Sequence, residues 1–246
     1  MLAILIICLV IFGAISLPIG IAMGLATMLC LVFATNIDPI MVAQNAFAGI
    51  DSFSLMAIPF FMLAGNLMSG GGIAKRILNF FDTFMGFIAG GLSMVTTVTC
   101  MFFAAISGSA IATTSAVGAF MIPAMKDKGY DEGFSASICA AAGTIGVIIP
   151  PSVPFVIYGV ATGTSITDLF KAGVIPGLLM GLGLIVAALF VGRKANLTVQ
   201  PKASGKERLK AFKDAFWGLL MPVIILGGIY GSIFTPTEAA AVSVFY

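Results

Sequence analysis

Residues 107–115 read Ser107-Gly-Ser-Ala-Ile-Ala-Thr-Thr-Ser115, and residues 143–152 read Gly143-Thr-Ile-Gly-Val-Ile-Ile-Pro-Pro-Ser152. Both stretches are uncharged, rich in hydroxyls with glycine or proline, and set inside apolar sequence. In a bilayer, a broken backbone leaves N–H and C=O groups without partners. That is tolerated only where the break is buried in protein or lines a polar cavity. Two such breaks close together in sequence are the pattern of discontinuous helices around a midplane ion and substrate site.

The rest of the chain supports a membrane setting. It is 60% hydrophobic and 9% charged, whereas soluble domains carry roughly 25% charged residues. Apolar runs near the ~20 residues needed to cross a bilayer recur along it. The expected fold class is an all-α polytopic membrane protein. The first apolar stretch lacks a separate charged leader and cleavage site, so it reads as a retained span rather than a signal peptide. Cys8, Cys30, Cys100 and Cys139 lie in apolar surroundings with no CxxC pair, which reads as buried free thiols. With no histidine in the chain, His-based acid–base catalysis, metal ligation and proton relays are excluded within these residues.

Charge position gives topology. Seven of the twelve basic residues fall between Arg193 and Lys213; Lys75/Arg76 and Lys126/Lys128 form two pairs, and Lys171 stands alone. Lys and Arg mark cytoplasmic loops. Residues 1–34 are apolar with Pro18 in the middle. One helix of that length would run about 51 Å, so either it is long and tilted or Pro18 divides two spans; two spans is the reading adopted. Residues 35–51 read as a polar outside loop. Residues 53–69 form the next span. Residues 73–87 place Ile73, Ile77, Phe80, Phe81 and Phe84 at helical spacing beside Lys75 and Arg76, the pattern of an amphipathic helix in the cytoplasmic interface; a plain loop is the alternative. Residues 83–125 carry no charge and are flanked by cationic loops on both sides. The chain must therefore enter and return, and the small polar middle fits a re-entrant hairpin better than two full spans.

A further span starts near Gly133, breaks at 143–152, where Pro150, Pro151 and Pro154 forbid a regular helix, and resumes to residue 161. Residues 164–170 read as an outside turn. Residues 171–192 return inward, with Gly177 and Gly181 spaced for close helix approach. A basic linker occupies 193–215, and a last span covers 216–234. Pro236 then opens a new helix, as Pro18 does earlier, after a span of opposite direction. This is a weak echo of an inverted repeat. The given residues end about ten positions into that helix, too few to cross a bilayer. The expectation is a first repeat plus the start of a second.

Three motifs together resemble a known family. Ser107-Gly-Ser-Ala-Ile-Ala-Thr-Thr-Ser-Ala-Val-Gly118 is similar to the first hairpin of the large membrane subunit, DctM type, of tripartite ATP-independent periplasmic (TRAP) transporters. The 143–152 stretch resembles the break that follows it, and Phe234-Thr-Pro-Thr-Glu-Ala-Ala240 resembles the start of the family's second half. The resemblance implies an ion-transporter-like elevator fold. Residues 1–72 would be scaffold (spans 1–16, 18–34 and 53–69) and 73–87 an interfacial arm. Residues 88–170 would be transport elements, with the hairpin at 88–125 and the broken helix at 133–161. Residues 216–246 would open the second repeat. It also implies a sodium-coupled importer of organic acid anions, of the C4-dicarboxylate or sialic acid class. Such an importer would sit multi-pass in the bacterial inner membrane. It would work with a small four-span membrane subunit and a periplasmic substrate-binding protein; no nucleic-acid partner is expected. The family's large subunit is much longer than this chain, so site residues of a second hairpin cannot be carried over.

The residues of the two breaks suit such work. Sodium is a hard cation that prefers oxygen ligands. The candidate sodium ligands are Ser107, Gly108, Ser109, Gly143, Thr144, Val147 and Pro150, through hydroxyls or carbonyls. Half-helix N-termini bind anions, and the helices after Ser109 and after Pro151 qualify. The candidate substrate contacts are Ser109, Thr114, Pro151 and Ser152. No Asp, Glu, Lys or Arg occurs in 83–125 or in 133–167, which favours sodium over a proton relay. A proton-coupled carrier and a passive anion channel remain alternatives. An intramembrane enzyme lacks a nucleophile–base pair. For any single Ser or Thr, plain helix packing is the competing reading, and it is the one adopted for Thr96, Thr97 and Thr99.

Overall fold

Helix α6, Gly91–Ser107, is the hub of the larger of two units into which the chain divides: fourteen of its seventeen residues are buried. A helix apolar and buried on all sides belongs to the protein interior rather than to the lipid boundary. The computed structural model describes residues 1–194 and 201–246. All regular structure among the described residues is helical.

The first unit, residues 1–52, holds α1 (Leu2–Ala14), α2 (Ile19–Ala34) and α3 (Ile40–Ile50). Pro18 is the residue before α2, and Ser16 adopts a positive φ of 60° in the turn that reverses the chain. The Cys30 thiol lies 3.4 Å from the Met1 carbonyl oxygen, so the far end of α2 comes back to the start of α1. Ala22, Ala26 and Cys30, four apart, form the buried line of α2. Ile6, Ile7 and Val10 on α1 are exposed, as suits a lipid-facing helix. The loop expected over 35–51 is mostly the helix α3. Asp38 explains it: its carboxylate accepts the Ile40 N–H at 2.9 Å, ahead of a helix opened by Pro39.

In the second unit, residues 53–246, a short 3-10 turn at Phe53–Met56 leads into α4 (Ala57–Gly70) and α5 (Ile73–Met85). After α6 come α7 (Ala110–Asp127) and α8 (Glu132–Thr144). A 3-10 turn, Ile145–Val147, then separates α8 from α9 (Val153–Thr162). The chain continues through α10 (Ile166–Lys194), α11 (Gly205–Tyr230) and α12 (Pro236–Phe245). The core joins Phe61, Val95, Phe103, Val117, Met121 and Ile225. Glycines set the seams: Gly177 of α10 abuts Ile149, Gly181 abuts Met101 of α6, and Gly218 of α11 abuts Ile73 and Ile77 of α5. Without side chains at these points, helices approach closely, as in membrane bundles.

Two boundaries differ from the sequence reading. The outside turn expected over 164–170 is largely the first turn of α10, started by the Ser165 hydroxyl accepting the Asp168 N–H at 3.3 Å. The linker expected over 193–215 ends earlier, because α11 begins at Gly205. A capping box fixes that start, with Ser204 and Glu207 each accepting the other's backbone N–H. Residues 195–200 of that linker lie outside the described residues.

By length and composition, 53–70, 166–192 and 205–230 are long and apolar enough to cross a membrane. Shorter apolar helices, α1, α2, α3, α6 and α9, accompany them.

Candidate functional site

The backbone of the first break is bent by Gly108. The α6 helix closes there, with Gly108 in the left-handed region at φ 61°, where a side chain is disfavoured. Ser109 follows in an extended conformation (φ −133°, ψ 125°) and caps α7, its hydroxyl accepting the Ala112 N–H at 3.4 Å. The second break ends in the same way. Ser152 is extended (φ −121°, ψ 122°) and caps α9, accepting the Phe155 N–H at 3.3 Å. The Pro150–Pro151 peptide is cis.

The breaks are joined to each other. The Gly108 carbonyl accepts the Val153 N–H at 3.1 Å. A Cβ at Gly108 would lie 2.6 Å from the Pro151 carbonyl oxygen, and a Cβ at Gly146 would lie 3.0 Å from the Ser109 carbonyl oxygen. Only glycine allows backbone to approach backbone this closely at both points. Helix ends from α6, α7, the 145–147 turn and α9 therefore meet at one junction.

Its hydroxyls are deeply placed. Ser107, Thr113 and Ser152 are fully buried. Ser107 and Thr113 share a hydrogen bond at 3.0 Å, and the Ser107 hydroxyl also lies 3.4 Å from both the N–H and the carbonyl oxygen of Ser109. Gly143 packs directly against the Thr114 side chain. Thus Ser107, Gly108 and Ser109 are brought together with Pro151 and the 145–147 turn, and Thr114 with Gly143.

Other sequence candidates are placed differently. Thr144 is exposed, and its hydroxyl donates to the Ala141 carbonyl of its own helix at 2.7 Å. The Val147 carbonyl already accepts from the Ser152 hydroxyl at 2.7 Å; a carbonyl has a second lone pair to offer. Pro150 lines a cavity of about 330 Å3 whose walls, including Met101, Phe102, Ile149 and Leu178, are all apolar side chains.

The two helix N-termini differ in what they leave free. At α9, Val153 donates to Gly108, Pro154 has no N–H, and Phe155 donates to Ser152. At α7, Ala112 donates to Ser109, while the N–H groups of Ala110 and Ile111 have no acceptor among the described residues. Free N–H groups at a helix start attract negative charge; the start of α7 keeps two of them, while the Ser152 hydroxyl caps α9. Ile111 is 81% exposed, so this start faces outward.

Sequence reasoning missed two contributors. Thr113 was one hydroxyl among several until its bond to Ser107 appeared. Gly65 of α4 presses on Ser107, where a Cβ would come within 2.9 Å of the Ser107 Cβ. Neither has a local sequence signal beyond residue type. On α6, Thr96 and Thr97 donate to the carbonyls of Leu92 and Ser93, the local bonding of a packed helix. The buried Thr99 hydroxyl has no partner among the described residues.

Comparison with known proteins places this architecture. The sequence pattern of the family described as "Tripartite ATP-independent periplasmic transporter, DctM component" matches residues 6–246. The chain is 49% identical over 235 residues to the C4-dicarboxylate TRAP transporter large permease protein DctM of Vibrio cholerae, covering 94% of this chain and 51% of that protein. It is 43% identical over 231 residues to the sialic acid TRAP transporter large permease protein SiaM of the same species, covering 94% and 54%. It is 49% identical over 236 residues to the isethionate TRAP transporter permease protein DctMQ of Oleidesulfovibrio alaskensis, covering 96% and 37%. The chain spans about half the length, or less, of these curated relatives. An all-helical, polytopic membrane chain with this match belongs to the DctM component family of the tripartite ATP-independent periplasmic transporters.

Proposed function

We propose that this chain is the first half of the membrane permease of a sodium-coupled secondary importer of organic acid anions. The observation that carries the reading is the junction of the two breaks through the Gly108–Val153 hydrogen bond of 3.1 Å. It gathers neutral oxygens and helix ends in one buried place without a fixed charge. Sodium is held by the Ser107 hydroxyl and by carbonyls around Gly108, Ser109, Gly143, Val147 and Pro150, in keeping with a hard cation's preference for oxygen. The anion is met by Ser109 and Thr114 at the start of α7, with Pro151 and Ser152 forming the wall behind it.

In this reading α6 and α7 form a re-entrant hairpin. Helix α6 rises about 26 Å, short of the ~30 Å hydrocarbon core. The hairpin and the α8–α9 broken helix move as one body against a scaffold that includes the early helices, in the manner of an elevator. The chain sits in the bacterial inner membrane. Its partners are a small four-span membrane subunit and a periplasmic binding protein that delivers substrate; the DctMQ name of one relative suits such a pairing. Relatives named for C4-dicarboxylate and sialic acid frame the substrate class.

Replacing Ser107 or Ser109 by Ala in the full-length permease tests the site. S107A should raise the sodium concentration needed for half-maximal uptake, and S109A should raise KM for the anion. Unchanged sodium dependence and unchanged KM in both variants would reduce the hairpin tip to packing.

A further inference from the structure

The N-terminal end of α11 is built unlike the rest of the molecule. Helix α11 has 26 residues, about 39 Å at 1.5 Å per residue, against a hydrocarbon core of ~30 Å. One end must leave the apolar layer. It is the N-terminal end, which holds Lys206, Arg208, Lys210 and Lys213. At ~100° per residue, Lys206, Lys210, Lys213 and Trp217 fall in one stripe about 60° wide. All four are exposed, Trp217 at 66%. The three lysines take part in no ion pair among the described residues. The opposite face of the helix is occupied by α5: Arg208 lies over Phe84 at 5.1 Å, and the Phe212 ring is 5.9 Å from Phe80. The three lysines are therefore turned away from α5, while Trp217, farther along the stripe, meets the Tyr246 ring of α12 at 6.3 Å.

We propose that this stripe binds the anionic headgroups of the phospholipid leaflet it faces. Measured from Tyr230 along the helix, Lys213, Lys210 and Lys206 lie about 26, 30 and 36 Å away. Against a core of ~30 Å and a headgroup layer roughly 5–8 Å deep, Lys206 sits among the headgroups and Lys210 at their inner edge. Lys213, about 4 Å inside that edge, reaches them by extending its long side chain outward. Basic segments at this position are drawn to anionic lipid. The residue type favours lipid over a protein partner, since lysine is depleted in protein interfaces and is a mobile point charge suited to a fluid anionic surface. The arginine of this helix end is already engaged on α5.

The test uses the full-length permease purified with its small membrane subunit and stripped of lipid. It is titrated in detergent with phosphatidylglycerol and, separately, phosphatidylcholine, with bound lipid read by native mass spectrometry. The wild type should prefer phosphatidylglycerol about tenfold, and the preference should shrink as sodium chloride rises. The triple variant K206Q/K210Q/K213Q should fall to near parity, and K206R/K210R/K213R should keep the preference. Equal binding of the two lipids by the wild type, or an undiminished preference in the glutamine variant, would overturn the proposal. Loss of the small subunit from the glutamine variant, with lipid preference intact, would also overturn it and assign the stripe to a protein contact. If the glutamine variant fails to fold, the salt dependence of the wild type decides.

Discussion

The carbonyl of Gly108 accepts the N–H of Val153 at 3.1 Å, tying the tip of the α6–α7 hairpin to the first residue of α9. This bond makes one junction out of two breaks that are separate in sequence. It also uses up the first N–H of α9, whereas the N–H groups of Ala110 and Ile111 at the start of α7 have no acceptor among the described residues.

Gly108→Ala should damage the junction directly. An alanine at φ 61° costs about 1–2 kcal/mol, and its Cβ would lie 2.6 Å from the Pro151 carbonyl oxygen. The expected result is a lower unfolding midpoint in detergent together with loss of uptake. A variant with wild-type Tm and uptake would show that the two breaks are not held as described.

Ser107 and Thr113 should behave as a coupled pair. S107A leaves the buried Thr113 hydroxyl unpaired, at about 1–3 kcal/mol, while T113A costs less, because Ser107 keeps its two 3.4 Å contacts to Ser109. The double variant S107A/T113A should cost less than the sum, with a coupling of about 1 kcal/mol in a double-mutant cycle. Additive effects would mean that the 3.0 Å contact contributes nothing.

The two N-cap serines should separate by function. Ser152 bonds to Phe155 and Val147, so S152A should lower stability by about 1–2 kcal/mol while raising KM only modestly. S109A should raise KM several-fold. Kinetics of uptake and thermal unfolding, measured on both variants, check the division. A larger KM effect from S152A would move the anion to α9.

The turn before α12 should carry a pH signature. The Thr235 backbone N–H donates to the Glu238 carboxylate at 2.8 Å, and the Thr235 hydroxyl adds a second bond at 2.9 Å. These hold the Glu238 pKa below the ordinary carboxylate value. The folded value is lower than the unfolded one, so the stabilisation is complete above about pH 4.3 and is lost as pH falls through the lowered folded value. Wild-type Tm should fall more steeply than that of E238Q as pH drops below about 4. Parallel profiles would contradict the capping role.

Much of the fold was readable because membrane insertion imposes simple rules. The breaks at 107–115 and 143–152 stood out because glycine, serine and proline are costly inside apolar helices unless something compensates. The junction between them was not readable, since the Gly108–Val153 bond depends on how α6 and α8 pack. Where the structure differs from the sequence pattern, polar residues start helices rather than form loops. Asp38-Pro39 was the start of α3, and Ser204-Gly-Lys-Glu207 was the capping box of α11. That second signature was present in the sequence and would have moved the helix start by itself. The different capacities of the α7 and α9 N-termini were hidden for another reason. Only the folded backbone shows that Val153 is already engaged.

The central claim is sodium coupling at the junction of the two breaks, and ion-gradient-driven uptake tests it most directly. The full-length permease is reconstituted in liposomes with its small subunit and binding protein, and uptake of a labelled C4-dicarboxylate or sialic acid is followed. With an inward sodium gradient, substrate should accumulate; with sodium replaced by potassium, uptake should fall to background. Equal uptake under both conditions would contradict the account.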